Sequence, residues 1–202
     1  GNDKESKEQL PVMKAALAML QEGKPARHLF ETLSEEEAII LKQLQLVTTK
    51  PILYVANVAE SEAADGNAHS EAVATKAKEE GSESVVIAAA IESEVATLET
   101  EEEKLEFLQD LGLNETGLNK IIRAGYKRLN LLTFFTVGPK EARAWTVRTG
   151  ATAPNAAGVI HTDFERGFIK AETIDYDSYI SCDGEAGARE AGKLRQEGKD
   201  YI

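Results

Sequence analysis

A single cysteine, Cys182, stands among the 202 residues, so no intrachain disulfide can form, and a reducing cytoplasm is the expected setting. Long apolar runs are missing too. The longest, such as Val85–Ile91, fall far short of the roughly 18–20 residues a membrane span needs, so no segment is expected to cross a bilayer and no membrane partner is expected. No charged n-region followed by an apolar stretch opens the chain, and no secretion signal is expected. Basic charge is in deficit: 23 Lys and Arg stand against 35 Asp and Glu. That balance argues against coating nucleic acid by bulk charge, and no recognition of DNA sequence is expected. The three histidines, His28, His69 and His161, lack metal-ligand spacing, and no metal site is expected within the chain.

What is present is globular in composition, 42% apolar and 29% charged, with room for one large domain or two small ones. The charge is uneven. Residues 1–110 carry 23 acidic and 10 basic side chains, a net of −13, whereas residues 111–202 carry 12 and 13, a net of +1. Such a step suggests two units in different surroundings, the second able to approach an anionic partner.

The spacing predicts a helix over 4–22 with Leu10, Met13, Leu17 and Leu20 on a coiled-coil-like seam, and a kink or fresh start at Pro11. Ser34-Glu-Glu-Glu is a capping box opening a second helix that should bury Ile40, Leu44 and Val47. A buried strand over Ile52–Asn57, an alanine-rich helix over about 70–80 closed by Gly81, and a second strand over Val85–Ala89 make one βαβ crossover. The two strands should be parallel neighbours, with one edge of the sheet left unpaired and adhesive. Thr100-Glu-Glu-Glu opens another helix, carrying Leu105, Leu108 and Leu111. Residues Gly117–Asn130 continue as an amphipathic helix with Leu118, Ile121, Ile122, Gly125 and Leu129 on one stripe. From Leu132 the pattern turns to short strands, Leu132–Val137 and Glu141–Val147, about a Gly138-Pro139 turn. A helix near 156–164, a strand at Phe168–Ile174 and a helix from Glu185 to Gln196 follow. That order reads as a small α+β module of the β-grasp kind. Lys199–Ile202 resembles the start of a strand without its continuation, so the module is expected to be cut short. The fold class is therefore α/β plus α+β, with a helical arm in front.

Chemistry is expected at the strand ends. Asn57-Val58-Ala59-Glu60 follows the first strand, where GTP-binding P-loop proteins carry Asn-Lys-x-Asp. There the aspartate accepts both donors on the Watson–Crick edge of guanine. Adenine offers one acceptor and one donor on that edge, so the longer Glu60 and the Lys-to-Val58 change should weaken guanine selection and admit adenine. Ala88, Ala89 and Ala90 end the second strand at the position of a loop whose backbone N–H groups touch the base. Other candidates have plainer readings. His161 beside Asp163 reads as a cap or a core contact. Cys182, beside Asp183, has no basic neighbour to activate it. Glu35–Glu37 and Glu101–Glu103 complement helix dipoles, and Phe134, Phe135, Trp145 and Phe164 read as the core of a small β module.

Taken together, Asn57–Glu60, Arg123-Ala-Gly-Tyr-Lys, Leu131-Leu-Thr-Phe-Phe-Thr, Glu141-Ala-Arg-Ala-Trp-Thr, Gly150-Ala-Thr-Ala-Pro-Asn-Ala-Ala-Gly and His161-Thr-Asp-Phe-Glu-Arg-Gly-Phe-Ile-Lys-Ala resemble the YchF (Obg-like ATPase) family, from the first helix to Ile202. The resemblance implies a P-loop nucleotide-binding domain with a helical coiled-coil insertion, followed by a TGS domain of β-grasp form. It implies hydrolysis of ATP in preference to GTP, magnesium, and association with the ribosome or ribosomal RNA. Residues 1–33 would be the returning part of the coiled coil, 34–130 the C-terminal part of the nucleotide domain, and 131–202 most of the TGS domain. Asn57, Val58 and Glu60 match the N-x-x-E base motif, and Ala88, Ala89 and Ala90 the last base-contacting loop. No G-x-x-x-x-G-K-[ST] segment occurs, so the phosphate loop and magnesium ligands of the family would lie upstream of Gly1. No catalytic residue is expected in this chain, and alone it should not hydrolyse nucleotide. The alternative is a binding module centred on the TGS region. Its candidate contacts are Arg143, Arg148, Arg166 and Lys170, with Arg123, Lys127, Arg128 and Lys140 also available.

Overall fold

A computed structural model describes residues 4–202, which divide into two compact units, one up to Ala124 and one over Gly125–Ile202. The first unit opens with α1 (Lys4–Gln21), which runs through Pro11 without a fresh start. Leu10, Met13, Leu17 and Leu20 do not form its buried seam: they are 50, 47, 56 and 38% exposed. The inward face is Val12 and Ala16, packed with Leu29 and with Leu41 of α2 (Glu35–Gln43). Both stripes have helical spacing, and the smaller side chains let the neighbouring helix approach. The Ser34 capping box is formed: Ser34 Oγ accepts from Glu37 N–H at 3.3 Å, and the Glu37 carboxylate accepts from Ser34 N–H at 3.0 Å. Leu41 is the fully buried residue of α2; Ile40 and Leu44 are half-buried and Val47 is exposed, contrary to the expected face.

β1 (Leu53–Asn57) and β2 (Glu83–Ile87) are parallel neighbours, paired Leu53 to Glu83 through Asn57 to Ile87. The helix between them, α3 (Ala68–Glu79), packs on both strands. Asn67 caps it, its side chain accepting from His69 and Ser70 N–H at 3.0 and 2.9 Å. Gly81 follows at φ +61°, the left-handed conformation that ends a helix without a Cβ penalty. Neither strand is fully covered: β2 is half-buried throughout and Val55 is exposed. β2 also ends two residues earlier than expected, and Ala89 and Ala90 open a helix, α4 (Ala89–Val95). A second cluster, Ala63, Ala88, Ile91, Val95, Leu108 and Leu113, joins α4 to α5 (Glu101–Asp110), which the Thr100 capping box starts as predicted. Leu108 of α5 is buried, while Leu105 and Leu111 are exposed. α6 (Gly117–Arg128) follows, with Leu118, Ile122 and Leu129 of its expected stripe exposed among the described residues.

In the second unit β3 (Leu131–Val137) and β4 (Ala142–Arg148) form an antiparallel hairpin. The single helix expected near 156–164 is two, α7 (Ala153–Ile160) and α8 (Thr162–Arg166), because His161 is extended and caps the second. β5 (Ala171–Thr173) pairs antiparallel with β6 (Arg195–Glu197), so the expected helix from Glu185 stops at Glu190 as α10, and the terminal strand falls at 195–197 rather than 199–202. α9 (Tyr176–Ser181) was not anticipated. Its signal is Asp175, whose carboxylate accepts from Ser178 N–H at 2.9 Å. The β3–β4 hairpin and the β5–β6 pair stay as separate two-stranded sheets.

Candidate functional site

The C-terminal ends of β1 and β2 lie side by side, and the residues singled out there come together. Val58 N–H donates to Ile87 O at 2.9 Å, carrying the parallel pairing one step past the strand. Asn57 Oδ1 accepts from Ala89 N–H at 2.9 Å, across 32 residues of sequence. Ala89 opens α4, where the first N–H groups of a helix have no intrahelical acceptor, so the bond satisfies an orphan donor and ties the two loops together. With its carbonyl oxygen so used, the Asn57 side chain keeps two N–H donors for a ligand.

The loop after Asn57 is closed from within. The Glu62 carboxylate accepts from Asn67 Nδ2 at 2.7 Å and from Ala59 N–H at 3.4 Å. Glu60 begins a short 3-10 turn and is exposed, as are Ala89 and Ala90, while Ala88 is buried. The arrangement presents one carboxylate, one amide and the Ala90 N–H at the C-terminal end of the sheet, with Ala88 as an apolar floor. It can hydrogen-bond a flat polar base. Among the described residues no group of three His, Cys, Asp or Glu is placed to hold a metal ion.

Two further glutamates were invisible in sequence, Glu92 beside the site and Glu80 at the opposite end of the two strands. Glu92, on α4, accepts from Gly117 and Leu118 N–H at 2.6 and 3.1 Å. Its partners are 25 and 26 residues away, with no local pattern to announce them. Glu80, beyond α3, gathers Arg27 Nη2 at 2.6 Å, Tyr54 Oη at 2.8 Å and Lys76 Nζ at 2.9 Å. Hydrogen bonds from Lys76 and then Tyr54, with Arg27 adding to them, hold the Glu80 carboxyl at about 2, far below the ordinary range.

The basic candidates do not form one patch. Arg143 and Arg148 sit five residues apart on β4, and alternation sends them to opposite faces of the hairpin. Arg143 stacks over Trp145, 4.1 Å from the ring centroid, and Trp145 Nε1 donates to Thr136 Oγ1 at 2.9 Å. Arg166 ends α8, and Lys170 Nζ donates to Gln196 Oε1 at 2.9 Å. Arg123, in the first unit, is ion-paired with Glu115. Phe134 and Trp145 are half-buried opposite one another, but Phe135 and Phe164 are more than half exposed, so only part of the expected aromatic core is inside. His161 is a cap, its Nδ1 accepting from Asp163 N–H at 3.1 Å. Cys182 is half-buried at the end of α9.

Comparison with known proteins bears on both units. Residues 131–202 match the family model YchF-GTPase_C, described as a protein of unknown function (DUF933). The whole chain is 52% identical to "Ribosome-binding ATPase YchF" of Pasteurella multocida and 53% identical to that of Haemophilus influenzae, covering 54% of each. Against the protein of the same name from Bacillus subtilis, 99% of the chain aligns at 47% identity, again over 54% of the relative. The chain thus spans about half the length of these relatives. A solved structure, that of the Schizosaccharomyces pombe YchF GTPase, superposes with a TM-score of 0.79 at 33% identity, over 100% of this chain and 55% of that one. The bacterial relatives are named ATPases and the Schizosaccharomyces pombe protein a GTPase.

Proposed function

The chain belongs to the YchF family, and on that premise we propose that it supplies the base-reading end of the nucleotide site of a ribosome-binding ATPase. In this reading residues 1–33 are the returning part of a coiled-coil insertion, 34–130 the C-terminal part of a P-loop domain, and 131–202 a TGS domain. Asn57, Val58, Glu60, Ala88, Ala89 and Ala90 form the base pocket. The observation that carries the proposal is the Asn57–Ala89 hydrogen bond, which unites two segments 32 residues apart at adjacent parallel strand ends.

Adenine is the preferred base, GTP the weaker ligand. Asn57 donates from its amide, the N–H groups at the start of α4 offer further donors, and the Glu60 carboxylate has no matched donor pair on adenine's edge to demand. The residues present do not fit magnesium or a triphosphate: the sequence has no glycine-rich phosphate loop, and the described residues offer no carboxylate cluster. No step of hydrolysis is therefore assigned to this chain, which alone is expected to be inactive and to bind ATP weakly. The test titrates adenosine and guanosine, nucleosides without phosphates, into the protein. Adenosine should bind more tightly, and Glu60→Asp with Val58→Lys should move preference towards guanosine. Guanosine binding more tightly to the unaltered protein would reject the pocket.

A second reading, a ribosome- or RNA-binding module in residues 131–202, draws on the Arg143–Trp145 stack, an exposed cation beside a flat ring. Pelleting with ribosomes at low and moderate salt, with and without residues 131–202, tests it. A contact to RNA phosphate must weaken as salt rises, and equal pelleting of both forms would exclude this module as the main contact.

A further inference from the structure

We propose that Glu92 is a positioning residue for the base loop, a role that rests on the base pocket described above. Glu92 lies on the same short helix as Ala89 and Ala90, four residues beyond Ala88, yet its carboxylate serves another helix. One oxygen accepts from Gly117 N–H at 2.6 Å and the other from Leu118 N–H at 3.1 Å, at the start of the twelve-residue α6. Those donors have no intrahelical acceptor, and the carboxylate meets the positive end of the α6 dipole. Charge-assisted bonds of this kind are among the stronger contacts available to a side chain.

The approach depends on residue 117 being glycine. A Cβ there would stand 2.8 Å from Ile87 Cγ2 and 3.0 Å from Glu92 Oε1, so both the end of β2 and the carboxylate would have to move. The sequence of contacts is continuous: Ile87 ends β2, Ala88 begins the loop, Glu92 leaves α4, and Gly117 receives it while lying against Ile87.

α4 needs such an anchor. It has only seven residues, and its cap, Ala88, has no side-chain acceptor. A helix that short does not persist on its own propensity. Its underside is held by Ile91 and Val95 in the buried cluster, but apolar contacts are non-directional and leave rotation about the helix axis loosely defined. Directed bonds define it. Asn57 holds the first N–H of α4 from the β1 side, and Glu92 holds the next turn from the α6 side. Between them they fix the start of α4, with Ala89 N–H held by Asn57, and so set where the Ala90 N–H points, which a purine would read. Glu92 touches no base; it acts through α4. Because α6 also carries the chain from the first unit into the second, the same carboxylate makes the base loop sensitive to that helix.

Adenosine is titrated into the 202-residue protein while the amide signals of Ala89 and Ala90 are followed, and hydrogen exchange at Ala89 is measured without ligand. Glu92→Ala should weaken adenosine binding about fivefold, as expected for loss of a charged hydrogen bond that orders the loop, and should speed Ala89 exchange about tenfold. Glu92→Gln keeps one acceptor oxygen and should recover a large part of both. Glu103→Ala is the control for simple loss of stability, since Glu103 accepts from Glu99 and Thr100 N–H at 3.1 Å in a cap remote from the loop. Equal effects of Glu92→Ala and Glu103→Ala on adenosine binding overturn the proposal. Unchanged Ala89 exchange in Glu92→Ala overturns it as well. If the unaltered protein ignores adenosine, the base pocket itself fails, and the positioning role is then decided by Ala89 exchange and its rescue by Glu92→Gln.

Discussion

The two units are built on different balances of forces. Twelve of the fourteen buried apolar residues among those described lie before Gly125, and all of these but Ala26 and Ala77 gather into the two clusters around Leu41 and around Ile91. The second unit contributes Val147 and Ala188 alone. There the order comes from antiparallel strand ladders, capped turns and exposed polar contacts such as Lys170 to Gln196 and Arg189 to Glu172 and Glu185. Net backbone and surface contacts stabilise far less per residue than buried apolar area. The difference teaches that the proposed base loop sits on the unit with the larger apolar core, which can hold it in one geometry, whereas residues 125–202 rest more on ladders and surface contacts.

The largest test of that contrast is a pair of truncations. Leu41→Ala should cost about 2–5 kcal/mol and Val147→Ala about 1–2 kcal/mol, read from urea midpoints. Equal losses would erase the distinction. Gly117→Ala sharpens it within the first unit: the new methyl has Ile87 and Glu92 in its way, so about 1–3 kcal/mol of overpacking is expected, with adenosine binding weakened in parallel.

The pH response comes next. The folded Glu80 carboxyl, at about 2, lies below its ordinary value, so the folded state binds fewer protons there than the unfolded chain. Its contribution to stability is complete above about pH 4.5, the unfolded range for a glutamate, and fades as pH falls towards 2. The urea midpoint of the first unit should drop across that window, and Glu80→Gln should flatten that part of the profile. An unchanged profile in the variant would show that other carboxylates govern acid unfolding. Arg143→Ala gives the smallest effect, about 0.5–1 kcal/mol for an exposed cation–π contact, seen as a slight fall in the melting of the β3–β4 hairpin. A loss above that range would mean the second unit leans on this stack as on a core.

Sequence showed best what is local. Ser34 and Thr100 announced their helices because a capping box is complete within four residues, and the crossover from β1 to β2 followed from two apolar runs about a helix. The α1 face was misread because two stripes of helical spacing coexist, and spacing does not say which one a neighbour will cover. β2 was extended too far because Ala89 and Ala90 are apolar and equally at home in a helix. At the site, Asn57 and the alanines were identifiable by type and order, and the bond joining them became visible only in three dimensions. Glu92 and the Arg27–Glu80 pair escaped entirely. Their partners are distant along the chain, and one glutamate among several nearby carries no mark of which one turns inward.

The Arg27–Glu80 pair also bears on the order of folding. Its members are 53 residues apart, while β1, α3 and β2 assemble within a span of 35 residues, from Leu53 to Ile87. Closing the wider loop costs more chain entropy and is rewarded only after the crossover exists to present Glu80 and Tyr54. Docking of the segment that carries Arg27 is therefore expected after the rate-limiting barrier. Replacing Arg27 by Met should then leave the refolding limb of a chevron nearly unmoved and steepen the escape from the native state, raising the unfolding rate. A slowed refolding limb would place this clasp in the nucleus instead.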